Sequence, residues 1–582
     1  MIGVTARRLV VASVILVLAV VLLPWAVGAS EDGEEVGCEG DRGLGLGERP
    51  WLLPFEPALE ADPAAQQREY YDFMWRTFIA LNWPAEAGRR GKPDCAGDVF
   101  AEHLETPRVW ETYPGPLEVF LKPEEWDPYP TWEQLGSPGG KTLGHHKIPP
   151  AAILVNQPGT GNLSLVGADD FPTGPLVDRN GRYVVYEVGI NRAYFEYIRR
   201  FRYYDSESQL RAVEEYLLDP ASPRAFRRPP LGNEPYLLNL PRDARQGMVE
   251  VKAAWRDLDG VPSEHWNRYV RRRVEVELID VDPPNAVEIG ERHLGLVALH
   301  VLRFTPDGLV AATFEQVDNV EVGHSAPDGL APSFNSGAPP SPLQQRIGFA
   351  NQTAARPTKI PPPISPENPL RCDAVPRDRA CLASCADGAA CGISPCEPRQ
   401  PGAEPAVPCC CGAAVPVDVY RVSPIPAGIQ RVNAEYQARL FRRDLRDPTA
   451  AGYSPLAFYQ LIGTQNRHAG DDFSDPETNG HEGPKTGVYT NANNLINTAL
   501  ESYTQENFSC IGCHVAARPL GVTQASYGVD HFKILSFLMR RACLRTDMRC
   551  ATDADCCSQR CATETDDGLA CSPPGGSPGT AR

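Results

Sequence analysis

The stretch that decides the fold is Leu296-Val297-Ala298-Leu299-His300-Val301-Leu302-Arg303-Phe304-Thr305-Pro306-Asp307-Gly308-Leu309-Val310-Ala311-Ala312-Thr313-Phe314-Glu315-Gln316-Val317. Two runs rich in β-branched and aromatic residues flank Thr-Pro-Asp-Gly, a turn tetrapeptide, so the spacing predicts a β-hairpin. The first run is apolar at nearly every position instead of every second one. A strand of that kind is covered on both faces, so it belongs at the centre of a sheet.

Working outward, Leu176-Val177 and Arg182 to Ile190 flank Asn180-Gly181, which predicts a second hairpin. Met248 to Trp255 alternates Val249, Val251 and Ala253 with Glu250 and Lys252. Val274, Val276 and Leu278 alternate with Glu275 and Glu277 in the same way. Helical signals are interleaved with these strands. Asp62 followed by Pro63 makes a helix start, and the helix is expected to stop near Asn82, before Pro84. Tyr70, Met74, Thr77, Phe78 and Leu81 fall on one face of it. Ala193 to Leu218 reads as one or two helices, and Gly428 to Arg443, Asn494 to Thr504 and His531 to Arg541 read as further ones. The expected class is α+β, a mainly antiparallel sheet core with packed helices, joined to a helical region that carries Cys510-Ile-Gly-Cys-His514, a haem-binding motif, and to small disulfide-rich accessory segments.

The chain has 582 residues and a formal net charge of −18. That charge argues against nucleic acid and anionic membrane surfaces as partners and favours a basic one. The 57 prolines are about twice the usual ~5%. With 50 glycines they point to long ordered loops and a modest helix content. The expected organisation is a signal peptide over 1–29, an acidic leader over 30–60, the α+β core over 61–336 and a Pro-rich linker over 337–371. A Cys-rich insertion follows over 372–411, then a haem c-binding region over 412–542 around Cys510-Ile-Gly-Cys-His514, a six-cysteine module over 543–571 and a tail over 572–582.

Arg7 and Arg8 precede an apolar run from Leu9 to Val27, and Val27 and Ala29 offer small side chains for cleavage before Ser30. The other reading of this run is an uncleaved anchor, since it approaches the ~20 residues that span a bilayer. Either reading takes the bulk of the chain out of the cytoplasm, to the periplasm or the outside. The 18 cysteines agree, because clustered disulfides persist only in oxidising compartments. Eight lie between Cys372 and Cys411 and six between Cys543 and Cys571, while Cys38 and Cys95 are left as a pair.

Residues 510–514 read Cys-Ile-Gly-Cys-His. Two thiols at this spacing can add to the two vinyl groups of a haem, and the adjacent imidazole is placed to bind the iron. Cys510 and Cys513 are therefore the expected covalent attachment points, and His514 the proximal iron ligand. With 18 Cys and 11 His, random order produces roughly 0.01 such motifs in this length. A structural disulfide, a zinc site and a thioredoxin-like thiol pair are the competing readings. The two cysteines stand apart from both clusters, no further ligands sit at finger-like spacing, and a βαβ context is missing. For the distal iron position the candidates are Met539, on the last expected helix, and His531, His481 and His468; an open iron is the remaining alternative. His145-His146 and the acidic stretch Asp471, Asp472, Asp475 and Glu477 read as loop residues more than as metal ligands.

Met74 to Pro84 (MWRTFIALNWP), Val251 to Trp255, Ala312 to Glu315, Leu461 to Gln465 and Asn497 to Tyr503 resemble segments of a group of large exported proteins of the cytochrome c family. The resemblance covers roughly residues 65–540 without the Cys-rich insertion. It implies one covalent haem c per chain and a redox or haem-binding role, with only Cys510, Cys513 and His514 carried over as functional residues. After Cys543 the spacing C-x6-C-x5-CC-x3-C-x9-C resembles the inhibitor cystine-knot family. That resemblance implies the pairings Cys543–Cys557, Cys550–Cys561 and Cys556–Cys571. The functional expectation is electron transfer outside the cytoplasm by Fe(II)/Fe(III) cycling to a redox partner protein. Its alternatives are a peroxidase-like haem-dependent oxidoreductase and a haem ligand sensor.

Overall fold

The computed structural model describes, with short gaps, residues 49–136, 143–144, 176–321, 330–335, 419–441, 453–468 and 495–500, together with two short strands between 561 and 571. The expected signal peptide, the linker, the Cys-rich insertion and nearly all of the chain after Leu500 lie outside these residues.

The decisive hairpin forms. The first run belongs to β5 (Glu288–Thr305), and it turns into β6 (Gly308–Gln316) with Thr305 opposite Gly308. Upstream lie β1 (Leu143–Gly144), β2 (Val185–Ile190), β3 (Val249–Asp257) and β4 (Arg271–Leu278). Downstream comes β7 (Tyr459–His468). These make one seven-stranded sheet in the order β3-β2-β1-β4-β5-β6-β7, with an additional pairing of β3 to β5. All pairings are antiparallel except β1 with β4. An α+β architecture built on an antiparallel sheet is thus established for this part of the chain.

The length of β5 explains the topology. One of its edges pairs with β3 over Leu294–Arg303, so β4 and β6 must share the other. They do so in series, β4 over Glu288–Gly295 and β6 over Ala298–Thr305. The short β1 then bridges β2 and β4, and the ladder β1-β2-β3-β5-β4 closes on itself. Double coverage follows: Leu296, Val297, Ala298 and Leu299 are all fully buried, as expected for a central strand.

Helix α1 (Pro63–Leu81) starts and stops as its sequence demands. Asp62 Oδ2 accepts from Ala65 N–H at 2.8 Å, Pro63 fills the first turn, and Asn82 closes the end with Nδ2 donating to the Phe78 carbonyl. Its face of Tyr70, Met74, Thr77, Phe78 and Leu81 is buried. Residues 193–218 form two helices, α2 (Arg192–Phe201) and α3 (Ser206–Leu218), separated because Arg202 takes a left-handed conformation at the end of α2. Helix α4 (Ala427–Leu440) lies against α1, with Tyr436 stacked on Trp75 at 5.0 Å and 2°. Gly247, at φ +72°, enters β3 where a Cβ would stand 2.1 Å from the Phe304 carbonyl oxygen, so only glycine fits.

Four departures from the sequence reading are seen. Strand β7 carries Gln460, Thr464, Gln465 and Asn466 and shows no apolar alternation, yet Thr464, Gln465 and Asn466 are buried. Tertiary cover decided its state. Residues 419–468, expected within the region 412–542, supply α4 and β7 to the same core as residues 61–336. Glu250, a polar position of the alternating pattern of β3, is buried at 4% exposure because both faces of the sheet are covered, and Glu315 on β6 is buried as well. Leu176 does not extend a hairpin strand, although Val184 N–H still donates to its carbonyl across the turn.

A separate two-stranded sheet, β8 (Cys561–Thr565) with β9 (Gly568–Cys571), sets Cys561 level with Cys571.

Candidate functional site

Cys510, Cys513, His514 and Met539 lie outside the described residues, as do His481, His531, His145-His146 and the acidic stretch 471–477. His468 ends β7, opposite Gly308 of β6. What the structure describes is the approach to residues 510–514: a turn at Thr498–Leu500, ten residues before Cys510, and the surface that holds it. This turn falls within the stretch 494–504 expected to be helical, the rest of which lies outside the described residues apart from Leu495 and Asn497.

Leu495, Ala499 and Leu500 are buried. Ala499 and Leu500 belong to a small apolar cluster with Leu176, Val184, Ala254 and Val297, distinct from the main core. Burial of this size contributes roughly 1.5–3 kcal/mol per large side chain. Direction comes from hydrogen bonds. Asn497 Nδ2 donates to Thr313 Oγ1 at 2.8 Å and to the Phe314 carbonyl at 2.9 Å, while its Oδ1 accepts from Ala499 N–H at 2.9 Å. This contact falls where the β6–β7 ladder shifts register, between Thr313 and Phe314. A bulge interrupts the ladder and bends the strand, which makes room for an outside partner.

Glu315 completes the clamp. It is fully buried, its Oε1 accepts from Thr498 N–H at 2.7 Å, and both oxygens accept from the Arg421 guanidinium. One carboxylate therefore ties β6 to the chain that leaves the Cys-rich insertion and to the chain that leads to residues 510–514. The remaining bulge groups are served from the other side. Asn433 Oδ1 accepts from Leu461 N–H and from Trp75 Nε1, each at 3.0 Å, and its Nδ2 donates to the Leu461 carbonyl at 2.9 Å.

Sequence reasoning missed Glu315, Asn433 and Arg421, since Glu315 meets Arg421 and Thr498 at separations of 106 and 183 residues and Asn433 meets Trp75 at 358. Glu315, Trp75 and Leu461 lie in segments that the sequence singled out by resemblance, whereas Arg421 and Asn433 lie in none of them.

Arg256 and Arg268 are buried in ion pairs of their own. Arg256 donates to Asp178, Ser333 and Tyr269, and Arg268 donates to Asp318 while lying 4.1 Å above the Phe458 ring. Such pairs hold and orient; they have no open side for a reactant. Among the described residues no group of three His, Cys, Asp or Glu is placed to hold a metal ion, and no helix is long and apolar enough to cross a membrane. Comparison with models of protein families, with curated proteins and with solved structures finds nothing that matches this chain.

Proposed function

We propose that this chain is an exported c-type haem protein of the cytochrome c kind that transfers single electrons outside the cytoplasm. The observation that carries the reading is the motif Cys510-Ile-Gly-Cys513-His514. In this reading Cys510 and Cys513 bind the haem c covalently, His514 supplies the proximal nitrogen, and Met539 is the candidate for the distal position. When bound, the haem supplies a one-electron Fe(II)/Fe(III) couple. The chain's own part is to hold the segment. Asn497 and Glu315 hold the turn at Thr498–Leu500, ten residues before Cys510, to β6. Export is supported by the apolar run Leu9–Val27 and by the disulfide that Cys95 forms. A chain at −18 suits a basic redox partner protein.

A second reading, a peroxidase-like oxidoreductase or a haem ligand sensor, is favoured by size, because a simple carrier needs only about 100 residues. Intact mass under denaturing conditions tests the cofactor. One haem added to the exported chain is expected, lost in the Cys510→Ala, Cys513→Ala double variant. A chain without that increment, made in a host competent for haem-c maturation, overturns the reading.

A further inference from the structure

Beneath the sheet's inner face, remote in sequence from residues 510–514, four charged side chains meet. The 3-10 turn Trp110–Thr112 carries Glu111 inward, with Arg108 just before it. The turn sits close to β2 because Gly189 has no side chain; a Cβ there would lie 3.0 Å from Tyr113 Cβ. Trp110 stacks on Trp255 of β3 at 5.6 Å, and both rings are fully buried. From β4, Arg272 reaches Glu187 of β2 at 3.1 Å and stands 3.7 Å from Glu111 Oε2. All four residues are at least nine-tenths buried.

The hydrogen-bonding of this cluster is incomplete. Glu111 Oε1 and Arg108 Nε and Nη1 are buried with no partner. A free acceptor beside free donors in a dry interior is the setting in which a buried water is held. Charge bookkeeping gives two guanidinium groups against two carboxyls, with Arg272 engaged by Glu187. Burial pushes the Glu111 carboxyl up to about 7; the Arg272 and Arg108 charges oppose that shift, and Glu187 adds to it.

We propose that Arg108, Glu111, Glu187 and Arg272 form a buried proton-exchange site, in which the Glu111 carboxylate takes up one proton delivered by water and the free Arg108 N–H groups hold that water. Uptake converts the carboxylate and a hydronium ion into a carboxylic acid and a water molecule. It removes one buried negative charge and leaves the Arg272–Glu187 pair in place. The site is independent of the haem reading, since every group in it comes from residues 108–272.

The sign of its effect is fixed. An unfolded Glu111 titrates in the ordinary carboxyl range and the folded one near neutrality. The folded state therefore holds the extra proton below about 7, and stability is lost as pH rises from about 4.5 through 7. The experiment is urea unfolding of the full chain between pH 5 and 8, wild type against Glu111→Gln. The wild-type unfolding constant is expected to rise on the order of 100-fold more than that of the variant over this window. Parallel profiles overturn the proposal. Two folded variants cover the case in which Glu111→Gln does not fold. Arg108→Gln should move the wild-type step to higher pH, because a cation that favours the carboxylate is gone. Glu187→Gln should move it lower, because a like charge is gone. A step that ignores both substitutions belongs to another group and also overturns the proposal.

Discussion

Glu315 and Arg421 are 106 residues apart in the chain and form an ion pair in which the carboxylate is fully buried and the guanidinium part-buried, with both carboxylate oxygens accepting from one guanidinium. Between them lie the Pro-rich linker and the Cys-rich insertion. The pair ties Arg421 to β6, and the same carboxylate receives Thr498 N–H.

Removing one partner of such a pair leaves the other charge buried alone, which costs about 3–5 kcal/mol. Glu315→Leu should lower unfolding free energy by that amount in a urea titration, and Glu315→Gln by less, because a neutral amide oxygen can still accept from Thr498. Adding Arg421→Met to Glu315→Leu should recover part of the loss. If the double variant is no better than the sum of the singles, the two side chains are not coupled.

Asn433 gathers three buried groups, Trp75 Nε1–H and the N–H and C=O of Leu461. Asn433→Leu keeps the volume and strands all three, at roughly 1–3 kcal/mol each. A fall of at least ~3 kcal/mol is expected from the same titration. A fall under ~1 kcal/mol would mean that β7 does not depend on this side chain for its bulge.

The carrier and enzyme readings part at the distal iron position. A low-spin ferric spectrum at neutral pH, slow to bind cyanide or, once reduced, carbon monoxide, is expected for a carrier. Met539→Ala should turn that spectrum high-spin. Immediate carbon monoxide binding by the wild type would favour the enzyme and sensor readings, and an unchanged variant would direct attention to His531, His481 and His468.

For the last module, peptide mapping without reduction should recover Cys543–Cys557, Cys550–Cys561 and Cys556–Cys571. The hairpin of β8 and β9, which sets Cys561 beside Cys571, suits a small module stapled by cross-links more than one built on a core. Deletion of residues 543–582 should leave the haem spectrum unaltered. A bridge from Cys543 to the 372–411 insertion would defeat the knot.

Much of the architecture was legible from short-range chemistry. Asp62-Pro63 and Asn82 bounded α1, Thr-Pro-Asp-Gly joined β5 to β6, and the unbroken apolar run marked β5 as central, because caps, turns and strand burial are encoded within a few residues of where they act. The CxxCH motif is local in the same sense: its cysteines and histidine are adjacent, so the proposed cofactor site could be read from spacing alone. Only the tertiary structure decided that polar β7 is a buried strand, that Glu315 faces inward to Arg421 and Thr498, and that Glu111 stands between Arg108 and Arg272. Each depends on partners tens to hundreds of residues away. A side chain's burial and charge environment are set by what packs against it, and that is a property of the folded chain and not of its neighbours in sequence.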